Sequence, residues 1–206
     1  MLNKVPTNIS LILLAAGESS RLGMPKQLLN YKGKNLMQHT IDLTQMLGME
    51  TIVVLGAFKD EILAQIDFSG TQVVENVMWR EGLSSSIRCG LTSVLNTNPE
   101  TEAIVLVLCD QPFLTTDILI KIVEKYHSSG QPIIHCKYGD VCGPPTLFHK
   151  SLFPNLMELK GGQGAKKVVD MFPDRRVYID FPEGKMDIDT QEDYQQLILS
   201  DNNTKH

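Results

Sequence analysis

LILLAAGESSRLGMPKQLL, residues 11–29, is an apolar strand pattern that runs directly into a turn of small residues. Positions 15–17 are alanine, alanine and glycine, so a ligand can come close to the backbone N–H groups of this turn. Arg21 and Lys26 add cationic donors of the kind that bind triphosphate oxygens. The stretch therefore indicates an α/β protein that handles a nucleotide.

The composition narrows the class of protein further. The chain has 206 residues, 42% hydrophobic content and a formal net charge of -5, which suits one domain with a buried core. Its basic residues are scattered, so we expect neither a nucleic-acid partner nor a membrane-surface partner. No secretory signal or membrane-length apolar run is visible, and we expect a cytoplasmic protein. The four cysteines lack ligand spacing and are expected to be small buried side chains.

Outside the opening stretch, apolar runs alternate with helix-period segments, which is typical of βα units and a mostly parallel sheet. Strands are predicted at 9–15, 51–55, 72–75, 103–109, 133–137, 146–148 and 176–180. Helices are predicted at 35–47, 60–66, 84–95, 116–128 and 150–156, then up to about 171, with a last helix opened by a capping box of Thr190 and Asp193. We expect a single domain over 1–200, with a nucleotide-binding half (1–130), an acceptor-binding half (131–200) and a tail at 201–206.

Acidic side chains supply the candidate metal site. Asp110 follows the buried run 103–109 directly, and ligands of open α/β sheets bind beyond the carboxyl ends of the strands. This position predicts a magnesium ligand that faces the first turn, although a carboxylate at a surface turn is the simpler alternative. Asp187 and Asp189 alternate along one extended segment, so one of them could complete the site, while Asp189 could instead cap the last helix with Thr190.

Two further polar segments suit substrate contacts. Residues 76–86 form a serine-rich entry into a helix that could contact a base or ribose, although a plain serine cap explains part of it. Trp79 in this segment suits a structural plug as well as a stacking partner. The glycine-containing loops at 143–146 and 161–164 suit a phosphate-bearing second substrate, although surface turns would look similar.

Taken together, these motifs resemble those of the MobA-like NTP transferase family, and within it the molybdenum cofactor cytidylyltransferase branch. The family pattern LAAGxSxRxGxxKxLL is matched at 14–29, NxxWxxGxxxSxxxGL at 76–91, DQP at 110–112 and DIDTxED at 187–193. The similarity covers residues 9 to about 194. The loop that reads GDxGAR in the family departs from this pattern at 162–166, where glutamine stands in place of the aspartate and lysine in place of the arginine.

The resemblance implies a glycosyltransferase-A-like, Rossmann-like three-layer sandwich and a Mg²⁺-dependent nucleotidyltransferase that releases pyrophosphate. It implies CTP rather than GTP as the donor, because Ala16 stands where guanylyl-using relatives have glycine. The implied acceptor is of the molybdopterin type, with transient contact with a molybdoenzyme or its chaperone. A sugar-phosphate or polyol-phosphate nucleotidyltransferase and a non-catalytic nucleotide sensor or cofactor chaperone stay open as alternatives.

The expected site residues fall into four groups. The catalytic residues are Arg21, Lys26 and Asp110, and the metal ligands are Asp110 and Asp189. The nucleotide contacts are Leu14, Ala15, Ala16, Gly17, Glu18, Ser19, Arg21, Lys26, Asn76, Gly82, Ser85 and Ser86. The acceptor contacts are Gln111, Pro112, Gly143, Pro144, Gly162, Gly164 and Asp187.

Overall fold

The computed structural model describes residues 8–203, which build one large β-sheet covered by helices. The strands are β1 (Ile9–Ala15), β2 (Asn30–Tyr31), β3 (Lys34–Asn35), β4 (Glu50–Leu55), β5 (Gln72–Glu75), β6 (Ala103–Leu108), β7 (Ile133–Tyr138), β8 (Val141–His149) and β9 (Arg176–Asp180). Strands β2 and β3 pair by themselves, and the other seven form the sheet in the order β5-β4-β1-β6-β8-β7-β9. Only the two pairings of β8 in this sheet are antiparallel. The predicted α/β fold with a mostly parallel sheet is therefore confirmed.

Helices cover both faces of this sheet. They are α1 (Leu36–Leu47), α2 (Lys59–Leu63), α3 (Leu83–Thr97), α4 (Thr116–Ser129), α5 (Phe153–Met157), α6 (Lys166–Met171) and α7 (Gln191–Asn203). Leu11 and Leu13 of β1 pack in one cluster with α1, α2 and α4, while Ile12 packs on the opposite face with α3, α5 and α6. Because both faces are covered, β1 needs a continuous apolar run rather than an alternating one.

Some boundaries differ from the sequence prediction. Strand β8 begins at Val141, five residues before the predicted strand at 146–148, and its pairing with β7 changes register between His135 and Cys136. The last helix continues to Asn203, so it includes the first three residues of the predicted tail, whereas 204–206 lie outside the described residues. The hairpin of β2 and β3 was not predicted, because each strand has only two residues.

Side-chain caps begin two of the helices. Thr115 accepts a hydrogen bond from the backbone N–H of Ile118 and caps α4. Thr190 and Asp193 form the predicted capping box, because each accepts a hydrogen bond from the backbone N–H of the other.

The expectation that the four cysteines are small buried side chains is correct for only two of them. All four cysteines are free thiols; Cys109 and Cys136 are buried, whereas Cys89 and Cys142 are only half-buried. Within residues 8–203, no helix has the length and apolar character needed to cross a membrane.

Candidate active site

A cleft opens where β1 and β6, which are neighbours in the sheet, both end. Its volume is about 610 Å³. It is lined by predicted site residues from three separate segments: Leu14, Ala15, Ala16, Gly17, Glu18, Lys26, Gly82, Ser86 and Asp110. The first turn, the start of α3 and the end of β6 therefore meet at one place, as expected for an open α/β sheet.

Charged side chains form a network at the mouth of this cleft. The Nζ atom of Lys26 lies 2.5 Å from Oδ2 of Asp110 and 2.9 Å from Oδ1 of Asp189. Arg21 donates to the second carboxylate oxygen of Asp189 at 2.7 Å. The backbone N–H of Ile188 donates to the carbonyl oxygen of Asp110, which fixes the late acidic segment beside the end of β6. Two cations and two carboxylates, distant in sequence, thus form one cluster, which comprises Arg21, Lys26, Asp110 and Asp189.

This clustering shifts the pKa values of several groups. Burial alone would lower the pKa of Lys26, but the charge of Asp110 and hydrogen bonds to Asp110 and Asp189 raise it above its ordinary value. Burial would raise the pKa of Asp189, but the hydrogen bond and charge of Lys26, together with Arg21, lower it. Surrounding protein atoms partly desolvate the Asp187 carboxyl even though much of the residue is exposed, and together with the negative charges of Asp110 and Asp189 this raises its pKa to about 6. Lys26 and Asp189 are therefore charged at neutral pH, while Asp187 titrates close to it.

The residues present fit a divalent cation that is shared with a phosphate ligand. Oδ1 of Asp110 is buried and has no hydrogen-bond partner among the described residues, so this oxygen is available as a ligand. In the described part of the chain, no group of three or more His, Cys, Asp or Glu side chains could hold a metal ion. Mg²⁺ usually takes one or two protein carboxylates and completes its shell with phosphates and waters, which matches this donor set.

Some cleft residues were absent from the predicted set. Gln27 is buried and donates from Nε2 to the carbonyl oxygen of Ala15 at 2.7 Å, so this hydrogen bond stabilises the backbone of the first turn. Arg80 places its guanidinium 4.2 Å from the ring centroid of Trp79, and both line the cleft. A cation beside the single tryptophan was a signal in the sequence that could have identified this pair.

Besides Arg21 at the mouth, three predicted nucleotide contacts do not line the cleft. Asn76 is buried and donates from Nδ2 to the hydroxyls of Ser85 and Ser86, and its Oδ1 accepts from the backbone N–H of Met78. Ser85 also donates to backbone carbonyls of its own loop. The hydroxyl of Ser19 accepts from the backbone N–H of Lys26. These groups shape the two loops, because their hydrogen bonds are made within the protein.

The predicted acceptor residues make their contacts in different parts of the structure. Gln111 is buried and donates from Nε2 to the carbonyl oxygen of Pro144 at 2.9 Å, so these two residues are neighbours. The loop at 161–164 instead packs against the start of α3, where a Cβ on Gly82 would lie 2.7 Å from the carbonyl oxygen of Gly161. Asp187 is exposed and lines a separate surface pocket. The loop at 161–164 therefore adjoins the start of α3, and Pro112 is buried beside Gln111.

The roles left open for Asp189 can be separated by its contacts. Its carboxylate pairs with Lys26 and Arg21, and the cap of α7 is made by Thr190 and Asp193. The structure thus places the Asp189 side chain toward the cleft rather than on the helix end.

Known proteins resemble this chain over different lengths. It is 31% identical over 139 residues to nicotine blue oxidoreductase of Paenarthrobacter nicotinovorans, covering 66% of this chain and 65% of that protein. It is 25% identical over 187 residues to the molybdenum cofactor cytidylyltransferase of Escherichia coli, covering 90% and 93% of the two chains. The molybdenum cofactor guanylyltransferase of Vibrio cholerae is 24% identical over 179 residues, covering 85% and 83%. The chain spans just under two thirds of the first of these relatives.

Solved structures extend the likeness to nearly the whole chain. Rv0371c from Mycobacterium tuberculosis H37Rv superposes with a TM-score of 0.80 at 33% identity, covering 94% of this chain and 98% of that one. The same mycobacterial protein in complex with manganese gives a TM-score of 0.76 at 31% identity, with 94% and 100% coverage. The model of the MobA-like NTP transferase domain matches residues 11–177. This chain therefore belongs to the MobA-like NTP transferase family, a family of nucleotidyltransferases.

Proposed function

We propose that this protein transfers CMP from CTP to a phosphate-bearing acceptor of the molybdopterin type, in a Mg²⁺-dependent reaction that releases pyrophosphate. The observation that carries the proposal is the cluster of Arg21, Lys26, Asp110 and Asp189 at the mouth of the cleft. A cleft with small residues at one wall and paired cations and carboxylates at its mouth suits a nucleoside triphosphate and its divalent cation.

The reaction needs positioning and charge more than a protein nucleophile. A phosphate oxygen of the acceptor forms a bond to the α-phosphorus, the bond from that phosphorus to the bridging oxygen breaks, and pyrophosphate leaves with the electron pair. The backbone N–H groups of the turn at 15–17 bind phosphate oxygens. Arg21 and Lys26 neutralise the charge that develops on the leaving pyrophosphate. Each of these contacts thus comes from residues around one cleft.

Asp110 and Asp189 would hold the magnesium ion. Bound there, Mg²⁺ supplies charge neutralisation to the phosphate oxygens. Oδ1 of Asp110, which has no hydrogen-bond partner among residues 8–203, would be free to hold the ion, whereas Asp189 would first have to give up its ion pairs with Lys26 and Arg21.

The preference for CTP rests on Ala16, which lines the cleft and is buried. Its methyl group narrows the cleft beside the first turn compared with glycine. The chain is similarly identical to a cytidylyltransferase and to a guanylyltransferase, so nucleotide preference is decided by direct measurement.

Nucleotide preference is tested by thermal shift with CTP, GTP, ATP and UTP in the presence of Mg²⁺. A nucleotide at a hundred times its dissociation constant adds about 2.7 kcal/mol of stability, and CTP is expected to give the largest shift. A larger shift with GTP would overturn the CTP assignment and leave the class of reaction intact.

Turnover is tested by pyrophosphate release with Asp110→Asn. We expect a loss of at least about a hundredfold, because this change removes a charged metal ligand at the reacting phosphates. The matched control is Asp60→Asn, whose side chain is 96% exposed. Near-normal turnover of Asp110→Asn in magnesium would contradict the metal role.

The acceptor is tested with purified molybdopterin cofactor against a panel of sugar phosphates and polyol phosphates. The panel includes sugar phosphates because the loop at 161–164 contacts the start of α3, whereas Gln111 contacts Pro144. Release of pyrophosphate only with molybdopterin supports the proposal. Turnover only with sugar phosphates would replace the acceptor, and nucleotide binding without turnover on any acceptor would indicate a sensor.

A further inference from the structure

Lys26 occupies the space between the two carboxylates that the proposed function assigns to the metal. Its Nζ atom lies within hydrogen-bond distance of both Asp110 and Asp189, and its side chain is only 17% exposed. Lys26 makes the only ion pair of Asp110 among the described residues, and the Asp110 side chain is 10% exposed. The ammonium group is therefore held in the interior of the site rather than in solvent.

We propose that Lys26 closes the metal site of the nucleotide-free protein, so that a divalent cation binds tightly only after a triphosphate has drawn Lys26 away from Asp110 and Asp189. This inference rests on the proposed function. Nucleotide then binds before the metal ion, and Lys26 is the side chain that enforces this order.

Electrostatic repulsion opposes a metal ion beside Lys26. A cation held by both carboxylates would lie against the Lys26 ammonium, and like charges a few ångströms apart repel strongly in a partly buried site. With Lys26 in place, Oδ1 of Asp110 is the carboxylate oxygen that lacks a partner at this position. A single free oxygen gives a weak site for an ion that prefers several oxygen ligands.

A triphosphate can draw Lys26 away from the two carboxylates. Its ammonium is a point charge on a flexible stem, so it can move from a carboxylate to a phosphate oxygen without displacing the backbone. A triphosphate in the cleft offers several charged oxygens to Lys26 and to Arg21, which releases Asp110 and Asp189 together. Arg21 differs from Lys26 because its side chain is 70% exposed and contacts only Asp189 of the two carboxylates.

The test measures the binding of Mn²⁺ to the nucleotide-free protein, with the free ion detected by electron paramagnetic resonance. We expect Lys26→Gln to bind Mn²⁺ at least about tenfold more tightly than the wild type, because removing the ammonium removes its repulsion. Arg21→Gln is the matched control and should change the affinity by less than about threefold, since exposed ion pairs contribute little. The double variant Asp110→Asn with Lys26→Gln should lose the gain, which assigns the bound ion to this site.

Wild-type affinity equal to that of Lys26→Gln would overturn the proposal, as would an equal gain from Arg21→Gln. Circular dichroism establishes that each variant is folded. If Lys26→Gln does not fold, trace acetylation of the wild type with mass spectrometry provides the second measurement. Saturating Mn²⁺ should raise the labelling of Lys26 relative to the exposed Lys121, and unchanged labelling with Mn²⁺ bound would contradict the proposal.

This outcome is separate from that of the proposed function. Absence of pyrophosphate release by the wild type with every acceptor would reject the transferase activity, whatever the Mn²⁺ affinities. Normal turnover with equal Mn²⁺ affinities would reject only the role of Lys26 in closing the site.

Discussion

Replacing Gly90 with alanine would place a methyl group where α3 touches the sheet. The added Cβ would lie 2.5 Å from Cγ2 of Ile12 and 3.0 Å from Cγ2 of Val54. Both neighbours are fully buried, so neither can turn toward solvent to make room. The change therefore tests how closely the helix that begins at the cleft is held against β1 and β4.

The expected magnitude follows from two opposing effects. Overpacking a buried contact costs about 1–3 kcal/mol, and the first distance places this case at the upper end. Alanine gains about 1 kcal/mol over glycine in a helix interior. The net loss is about 2 kcal/mol, or a decrease of about 4–8 °C in Tm for a domain of this size. Urea denaturation measures the loss of free energy and thermal denaturation measures the change in Tm, with unfolding monitored by circular dichroism in both cases.

Two matched variants separate the steric effect of the new methyl group on stability from the effect of helix propensity. Thr92→Ala lies on the exposed side of the same helix and should raise stability by no more than about 0.5 kcal/mol. Ile12→Leu removes the Cγ2 branch that the new methyl would meet, so the double variant should be about 1 kcal/mol more stable than the sum of the single changes predicts. A Gly90→Ala protein as stable as the wild type would refute the close packing of α3.

Three further predictions concern the site and its supports. Asp187 should titrate near pH 6 by carboxyl NMR, and titration near pH 4 would contradict this. Because folding favours the protonated form of its carboxyl, the stability relative to Asp187→Asn should fall as the pH rises from about 4 to about 6. The decrease should be less than about 1 kcal/mol, because this side chain is exposed. Gly82→Ala should lower the stability by about 2 kcal/mol or more and weaken CTP binding in the thermal-shift assay. The reason is that φ of Gly82 is +100° and the new Cβ would meet the Gly161 carbonyl. Unchanged stability and binding would refute this contact. Gln111→Ala should lower the stability measured by denaturation by about 2 kcal/mol, and Tyr138→Phe should lower it by about half as much. The first change leaves buried acceptors of the Gln111 amide unpaired, whereas the second removes a single partner. Equal losses would contradict these hydrogen bonds.

The sheet could be predicted largely because its central strands are buried on both faces. Continuous apolar runs such as those of β1 and β6 are typical of strands covered by helices on both sides, and a parallel pair ends at one edge of the sheet. Strand β8 was harder to predict because Pro144 and Pro145 suggest a turn. The structure accommodates them where the pairing with β7 shifts register, so neither proline has to donate to a ladder there.

The site, like the sheet, could be predicted from the sequence only in part. Lys26 and Asp110 could be placed together because each follows a neighbouring parallel strand. The direction in which Asn76 and Ser85 point could not be deduced, since a polar loop residue can face a ligand or its own backbone equally well. The contact between the loop at 161–164 and Gly82 depends on packing between distant segments, which local sequence patterns do not encode.

Trp79 is the single tryptophan of the chain, and it lines the cleft with Arg80 over its ring. All indole fluorescence of the protein therefore originates at the place where the nucleotide is proposed to bind. A ligand that displaces the guanidinium or stacks on the ring changes the polarity around this one fluorophore. The protein thus carries an intrinsic optical reporter, which allows occupancy to be followed in real time without a label.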